Sequence, residues 1–136
     1  MKGDYYLNII YSLRDYFYNI DPTLKMYIDE QQVSFQDEFV EIRTSSKTLD
    51  DPNFAIISDY ATINIYSKNN VDEIVAKFLD RLRNAYIPIK DFVNQTGEII
   101  DNLRVTNVEI VDIGVLKSNH YVKSLSVFYK LYIKEV

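Results

Sequence analysis

The chain has 136 residues, with 15 Lys and Arg against 20 Asp and Glu and a formal charge of -5, a length that suits one domain (residues 1–136) with a core of its own. No cysteine and a single histidine, His120, exclude disulfides, thiolate zinc sites, thiol nucleophiles and any two-histidine metal centre. The acidic balance argues against a protein that grips nucleic acid over a broad surface. The apolar runs fall far short of the roughly 20 residues that cross a bilayer. The amino terminus carries Arg14 and Asp15 inside an amphipathic stretch, unlike a signal peptide, so a soluble protein is expected.

The first element reads as a helix from Asp4 to Ile20. Tyr6, Ile9, Ile10, Leu13, Tyr16, Phe17 and Ile20 follow the spacing of one helical face, with Asp4 as the expected N-cap. Asp21-Pro22 ends it, because a residue before proline is pushed out of the helical region. Leu7, Tyr11 and Tyr18 form a second stripe on another side. That stripe either packs deeper into a small core or faces another subunit.

Leu24–Ile28 and Glu38–Thr44 alternate apolar and polar residues and are expected to be strands. Residues 44–54, TSSKTLDDPNF, make a loop by composition. Ile57–Ser67 is a strong strand, with Ala61, Ile63 and Ile65 opposite Tyr60, Thr62, Asn64 and Tyr66.

Asn69-Asn70 then opens the clearest helix. Asn70 with Glu73 has the spacing of a capping box, and Val71, Ile74, Val75, Phe78, Leu79, Leu82 and Tyr86 form one stripe, ended at Ile87-Pro88. Residues 89–102 are mixed, with Gly97 as a turn signal. Arg104–Ile113 reads as a strand whose imperfect alternation signals a bulge, and 114–120 as a connection. Tyr121–Lys134 is a long strand expected in the middle of the sheet. The whole predicts an α+β fold: a two-layer sandwich with a mostly antiparallel sheet of four to five strands and two helices on one face.

Chemistry-bearing motifs are absent. Three glycines build no phosphate cradle, and no nucleotide, hydrolase or zinc-protease signature occurs. His120 reads as a solvated or strand-edge residue, since nothing in the sequence supplies the partners a general base needs. Asp50, Asp51 and Asp59 lack the glycine and bidentate glutamate of a calcium loop and read as a solvated turn. Asp29, Glu30, Asp37 and Glu38 read as a solvated face. Arg81, Arg83, Lys90 and Arg104 are interrupted by acids. No enzyme activity, metal or cofactor is expected. Twelve tyrosines are the stronger signal. Tyr11, Tyr18, Tyr27, Tyr60, Tyr66 and Tyr132 lie on the less aliphatic sides of their elements, either as an interface or as aromatic pairs covering an open sheet.

The order of these segments (an amino-terminal helix, LKMYID, EFVEIRT, the polar SSKTLDDPNF, YATINIYSKN, the capped NVDEIVAKFLDRLRNAY and VFYKLYIK) resembles the tail terminator proteins of long-tailed bacteriophages. The resemblance spans nearly the whole chain and rests on element order, with no invariant motif. It implies a hexameric ring of identical subunits on the last ring of tail-tube protein, in the virion and, during assembly, the host cytoplasm. Such a ring stops tube growth, presents a surface to the head–tail connector, and lets DNA pass without specific binding. It also implies that the insertion carrying Lys47, Leu49, Asp50 and Asp51 joins Leu7, Tyr11, Tyr18, Tyr60 and Tyr66 as candidate contacts. A head–tail adaptor, a minor tail protein and a small protein-binding module are the alternatives.

Overall fold

The computed structural model describes residues 2–28, 36–44, 56–88 and 103–132. Two helices and six strands follow in the order α1 (Lys2–Ile20), β1 (Lys25–Ile28), β2 (Glu38–Thr44), β3 (Ile56–Ser67), α2 (Val71–Leu82), β4 (Tyr86–Ile87), β5 (Leu103–Val115) and β6 (Tyr121–Tyr132). The fold is α+β, as the patterning predicts. Leu13, Phe17 and Ile20 of α1 and Val71, Ile74, Val75, Phe78 and Leu82 of α2 share one buried cluster with the aliphatic face of the sheet. That face is built from Val40, Ile42, Ala61, Ile63, Ile65, Leu125 and Val127. Phe17 and Phe78 meet across the helices with centroids 6.1 Å apart.

The sheet departs from expectation in two ways. It has six strands, not four to five, in the order β1-β2-β3-β6-β5-β4. It is also mixed: β1 runs parallel to β2 while the other neighbours are antiparallel. A short connection suggests a hairpin, but β1 spans only four residues. A chain reaching about 3.3 Å per residue can return from Ile28 to the start of β2 within residues 29–37.

Helix ends account for other differences. Lys2–Ile20 places Asp4 inside the first turn of α1, so Asp4 is no N-cap. Asn70 is one: its side chain accepts from the Glu73 N–H at 3.3 Å. α2 stops at Leu82, short of the expected Tyr86. Arg83 already leaves the helix, at φ -61° and ψ 121°, and Asn84 follows at φ +54° as the left-handed third residue of a turn closed by the Ala85 N–H donating to the Leu82 carbonyl at 3.2 Å, a place that asparagine tolerates better than most residues. Tyr86 is consequently in β4 and exposed. The Tyr16 hydroxyl donates to the Arg81 carbonyl at 2.7 Å, satisfying an acceptor that the helix end leaves open.

β6 pairs with β3 on one side and β5 on the other, the central position its length predicts. β5 carries register shifts between Val105 and Asn107 and between Asp112 and Gly114, the irregularity signalled by its broken alternation. Gly114 belongs to this strand, not to a connection, and its φ of +105° meets the second shift. The loop is shorter than expected: Leu116 N–H donates to the His120 carbonyl, Asn119 N–H donates to Leu116, and Asn119 sits at φ +67°. A tight turn ending in a left-handed residue is a common three-residue hairpin closure.

Candidate functional site

The side of the sheet away from the helices is polar and aromatic. Phe39 and Tyr66 lie directly opposite on β2 and β3 and stack with centroids 4.3 Å apart and planes 7° from parallel. Tyr60 lies opposite Phe128, with ring centroids at 5.5 Å. Cross-strand aromatic pairs of this kind stabilise a sheet by tenths of a kcal/mol to about 1 kcal/mol each. Tyr60 and Tyr66 are thus half-buried members of such pairs.

Beside them is a buried carboxylate that the alternation of β2 does not reveal. The Glu41 side chain is 5% exposed. Its Oε1 accepts from Arg43 Nε at 3.0 Å, Asn64 Nδ2 at 3.1 Å and the Tyr66 hydroxyl at 3.4 Å. A buried charge needs such partners to offset its desolvation. Burial, and then the neighbouring Glu41 charge, raise the Tyr66 pKa, against an opposing pull from Arg43.

His120 is buried, not solvated or at a strand edge. Its Nε2 lies 2.7 Å from the Gln36 carbonyl oxygen and its Nδ1 2.7 Å from Ser118 Oγ. A carbonyl only accepts, so Nε2 carries the proton there, while Nδ1 shares a hydrogen bond with the Ser118 hydroxyl. Phe39 and Tyr66 approach the ring edge-to-face. Both ring nitrogens are engaged in holding the β5–β6 turn against the entry to β2, a structural use of the residue.

The second stripe of α1 points outward where its side chains are described. Tyr11 and Tyr18 are about half exposed, and the Arg14 guanidinium lies 5.0 Å from the Tyr11 ring centroid. An open groove of about 570 Å³ separates this helix from the sheet edge, lined by Arg14, Asp15, Tyr18, Pro22, Lys25 and Tyr27 among others. Leu7 lies in α1, with its side chain outside the described residues, as Lys47, Leu49, Asp50 and Asp51 are altogether.

The feature that sequence reading missed is the far half of the β5–β6 hairpin. Ile110, Val111, Ile113, Val115, Leu116 and Tyr121 are between 40% and 59% exposed. Apolar residues at adjacent positions 110 and 111 were the available signal, because a strand with one buried face alternates. Past the two residues paired with β4, the outer edge of β5 has no strand beside it among the described residues.

Among the described residues no three His, Cys, Asp or Glu side chains cluster as metal ligands, and no helix is long and apolar enough to cross a membrane. No protein-family model matches the chain, and no curated protein does. A solved structure whose name states no function is similar over 100% of this chain and 99% of its own, with a TM-score of 0.64 and 13% identity. At that identity the likeness shows a shared fold alone.

Proposed function

We propose that the protein is a structural component of a phage virion that caps the head-proximal end of the tail tube as a ring, arresting tube growth and presenting a surface for head joining. In this reading the two helices form one layer over the sheet, and six copies complete the ring. The observation that carries it is the pairing of two unlike, exposed surfaces on one small domain: the tyrosine-bearing face of α1 and the apolar hairpin of β5 and β6. A ring closed by rotation requires two different patches on each subunit. The element order supports the same reading, with the amino-terminal helix, the strands at 25–28, 38–44 and 56–67, the asparagine-capped helix and the closing strand all present. The net charge of -5 suits a ring through which DNA passes without sticking.

Electron microscopy of tails assembled with and without the protein tests this. The expected result is tubes of uniform length with an added six-fold ring at one end when the protein is present, and overgrown tubes in its absence. Unchanged tube lengths and bare ends would refute the assignment. A ring found on the head's portal, with none on the tube, would make it an adaptor.

A further inference from the structure

We infer that Ser118 is a site of covalent acylation: a reactive serine, served by the buried imidazole of His120, that takes acyl groups from small acyl phosphates. A hydroxyl becomes a nucleophile at neutral pH when a base lies within hydrogen-bond reach and a third group holds that base in place. Ser118 Oγ lies 2.7 Å from His120 Nδ1, and His120 Nε2 lies 2.7 Å from the Gln36 carbonyl oxygen. The carbonyl fixes the tautomer. Nε2 carries the proton, so in the neutral ring the Nδ1 lone pair faces Ser118. Phe39 and Tyr66 set the ring's orientation from the other sides, with centroids 5.4 Å and 6.3 Å away and planes near perpendicular to it. Tyr66, the titratable member of this surround, directs its hydroxyl to Glu41 instead of to the ring.

The base is buried but the hydroxyl is not. His120 is 2% exposed, whereas Ser118 is exposed in the β5–β6 turn. A base beside a hydroxyl is insufficient alone: Ser67 Oγ lies 2.8 Å from Glu38 Oε2, yet Ser67 is fully buried and out of a reagent's reach. The Asn119 N–H closes the turn on the Leu116 carbonyl, and the N–H groups of Lys117 and Ser118 take no backbone acceptor among the described residues. Free backbone donors next to the attacking oxygen are the groups that stabilise a developing oxyanion. Lys117 is exposed beside them and its charge favours a donor with an anionic leaving group, which an acyl phosphate has. In the step, Oγ attacks the acyl carbonyl carbon, the Oγ–C bond forms, and the C–O bond to phosphate breaks with its electron pair leaving on phosphate. The Oγ proton passes to Nδ1 and from there to the departing phosphate or water. Nε2 keeps its bond to Gln36 throughout. The inference does not rest on the tail-capping reading.

Acetyl phosphate is the probe, and Lys117→Arg is the background, because it keeps the charge and removes the competing amine. Intact mass and peptide mapping follow the label, and hydroxylamine, which cleaves esters and spares amides, identifies its chemistry. The expected product is one hydroxylamine-labile acetyl group on Ser118, absent from Ser118→Ala. His120→Gln is expected to slow its formation about a hundredfold, the low end of what a positioned base contributes. That variant also weakens the tie to Gln36, so the pH profile of the protein with His120 intact is read beside it. His120 is the chain's one histidine, and its ring is followed by NMR without ambiguity. The rate of labelling should fall in step with protonation of that ring. Acetyl groups spread over several serines at similar rates, His120→Gln reacting as fast as its parent, or a rate indifferent to the ring's protonation would each overturn the proposal.

Discussion

Lys77 Nζ lies 3.0 Å from Asp21 Oδ2, so a residue within α2 holds the aspartate that follows α1. Asp21 is buried and also accepts from the backbone N–H and the hydroxyl of Thr23. Burial pushes its carboxyl pKa up, but the hydrogen bonds from Thr23 and Lys77 outweigh that and hold it below its ordinary value. A carboxylate with a depressed folded pKa contributes stability that is complete above its unfolded pKa of about 3.9 and is lost as pH falls through the folded value. Asp21→Ala is expected to cost about 1–2 kcal/mol at neutral pH and to flatten the acid limb of stability below about pH 4. Urea denaturation at neutral and acid pH checks both; an unaltered acid limb would contradict the assignment.

The His120 clip predicts a local structural defect. His120→Ala removes two short hydrogen bonds and the edge against Phe39 and Tyr66. The expected loss is about 2–3 kcal/mol, from orphaned polar groups and the void together. Hydrogen exchange should show the loss of protection concentrated at the start of β2 and the β5–β6 turn. Uniform weakening across the sheet would argue against a local clip.

Asn84 offers a test of backbone conformation alone. At φ +54°, Asn84→Gly should change stability by no more than about 0.5 kcal/mol, while Asn84→Val should lose about 1–2 kcal/mol. For a domain of this size the latter lowers the thermal midpoint by several degrees. Equal midpoints for the two variants would show that the left-handed conformation does not hold the turn between α2 and β4.

Tyr66 reports on the buried Glu41 cluster. Arg43 pulls the Tyr66 pKa down while burial and Glu41 push it up. Arg43→Ala should therefore raise it further, and Glu41→Gln should lower it towards an ordinary tyrosine. Ultraviolet titration, with Tyr66→Phe as the reference that identifies the signal, measures both. Shifts of the opposite sign would exclude the described hydrogen-bond arrangement.

Elements with a single clean periodicity are legible in the sequence. The stripe of α2, its Asn70 cap and the alternation of β6 each have a local cause that the surroundings do not override. What hides is decided by partners distant in sequence. The buried state of Glu41 depends on Asn64 and Tyr66, 23 and 25 residues away. That of His120 depends on Gln36, 84 residues earlier. Neither residue's neighbours in the chain announce these contacts. The end of α2 misleads for another reason: Tyr86 keeps the helical spacing of the stripe, and the chain nevertheless leaves the helix at Arg83 and turns through Asn84. The candidate surfaces divide the same way. The outward tyrosines of α1 follow from helical spacing, whereas the exposed residues of β5 follow from its place in the sheet, where past the two residues paired with β4 no strand lies beside it among the described residues.

The central place of β6 governs how the protein is made. β3 is synthesised more than fifty residues before the strand that fills the gap beside it. Until β6 leaves the ribosome, one edge of β3 has no partner, and its aliphatic face cannot be completed by Leu125 and Val127. Pairings of such long range delay folding, because a large loop must close before any contact rewards it. The same final segment completes the hairpin with β5. A nascent chain therefore cannot present the finished β5–β6 hairpin before its own core can close.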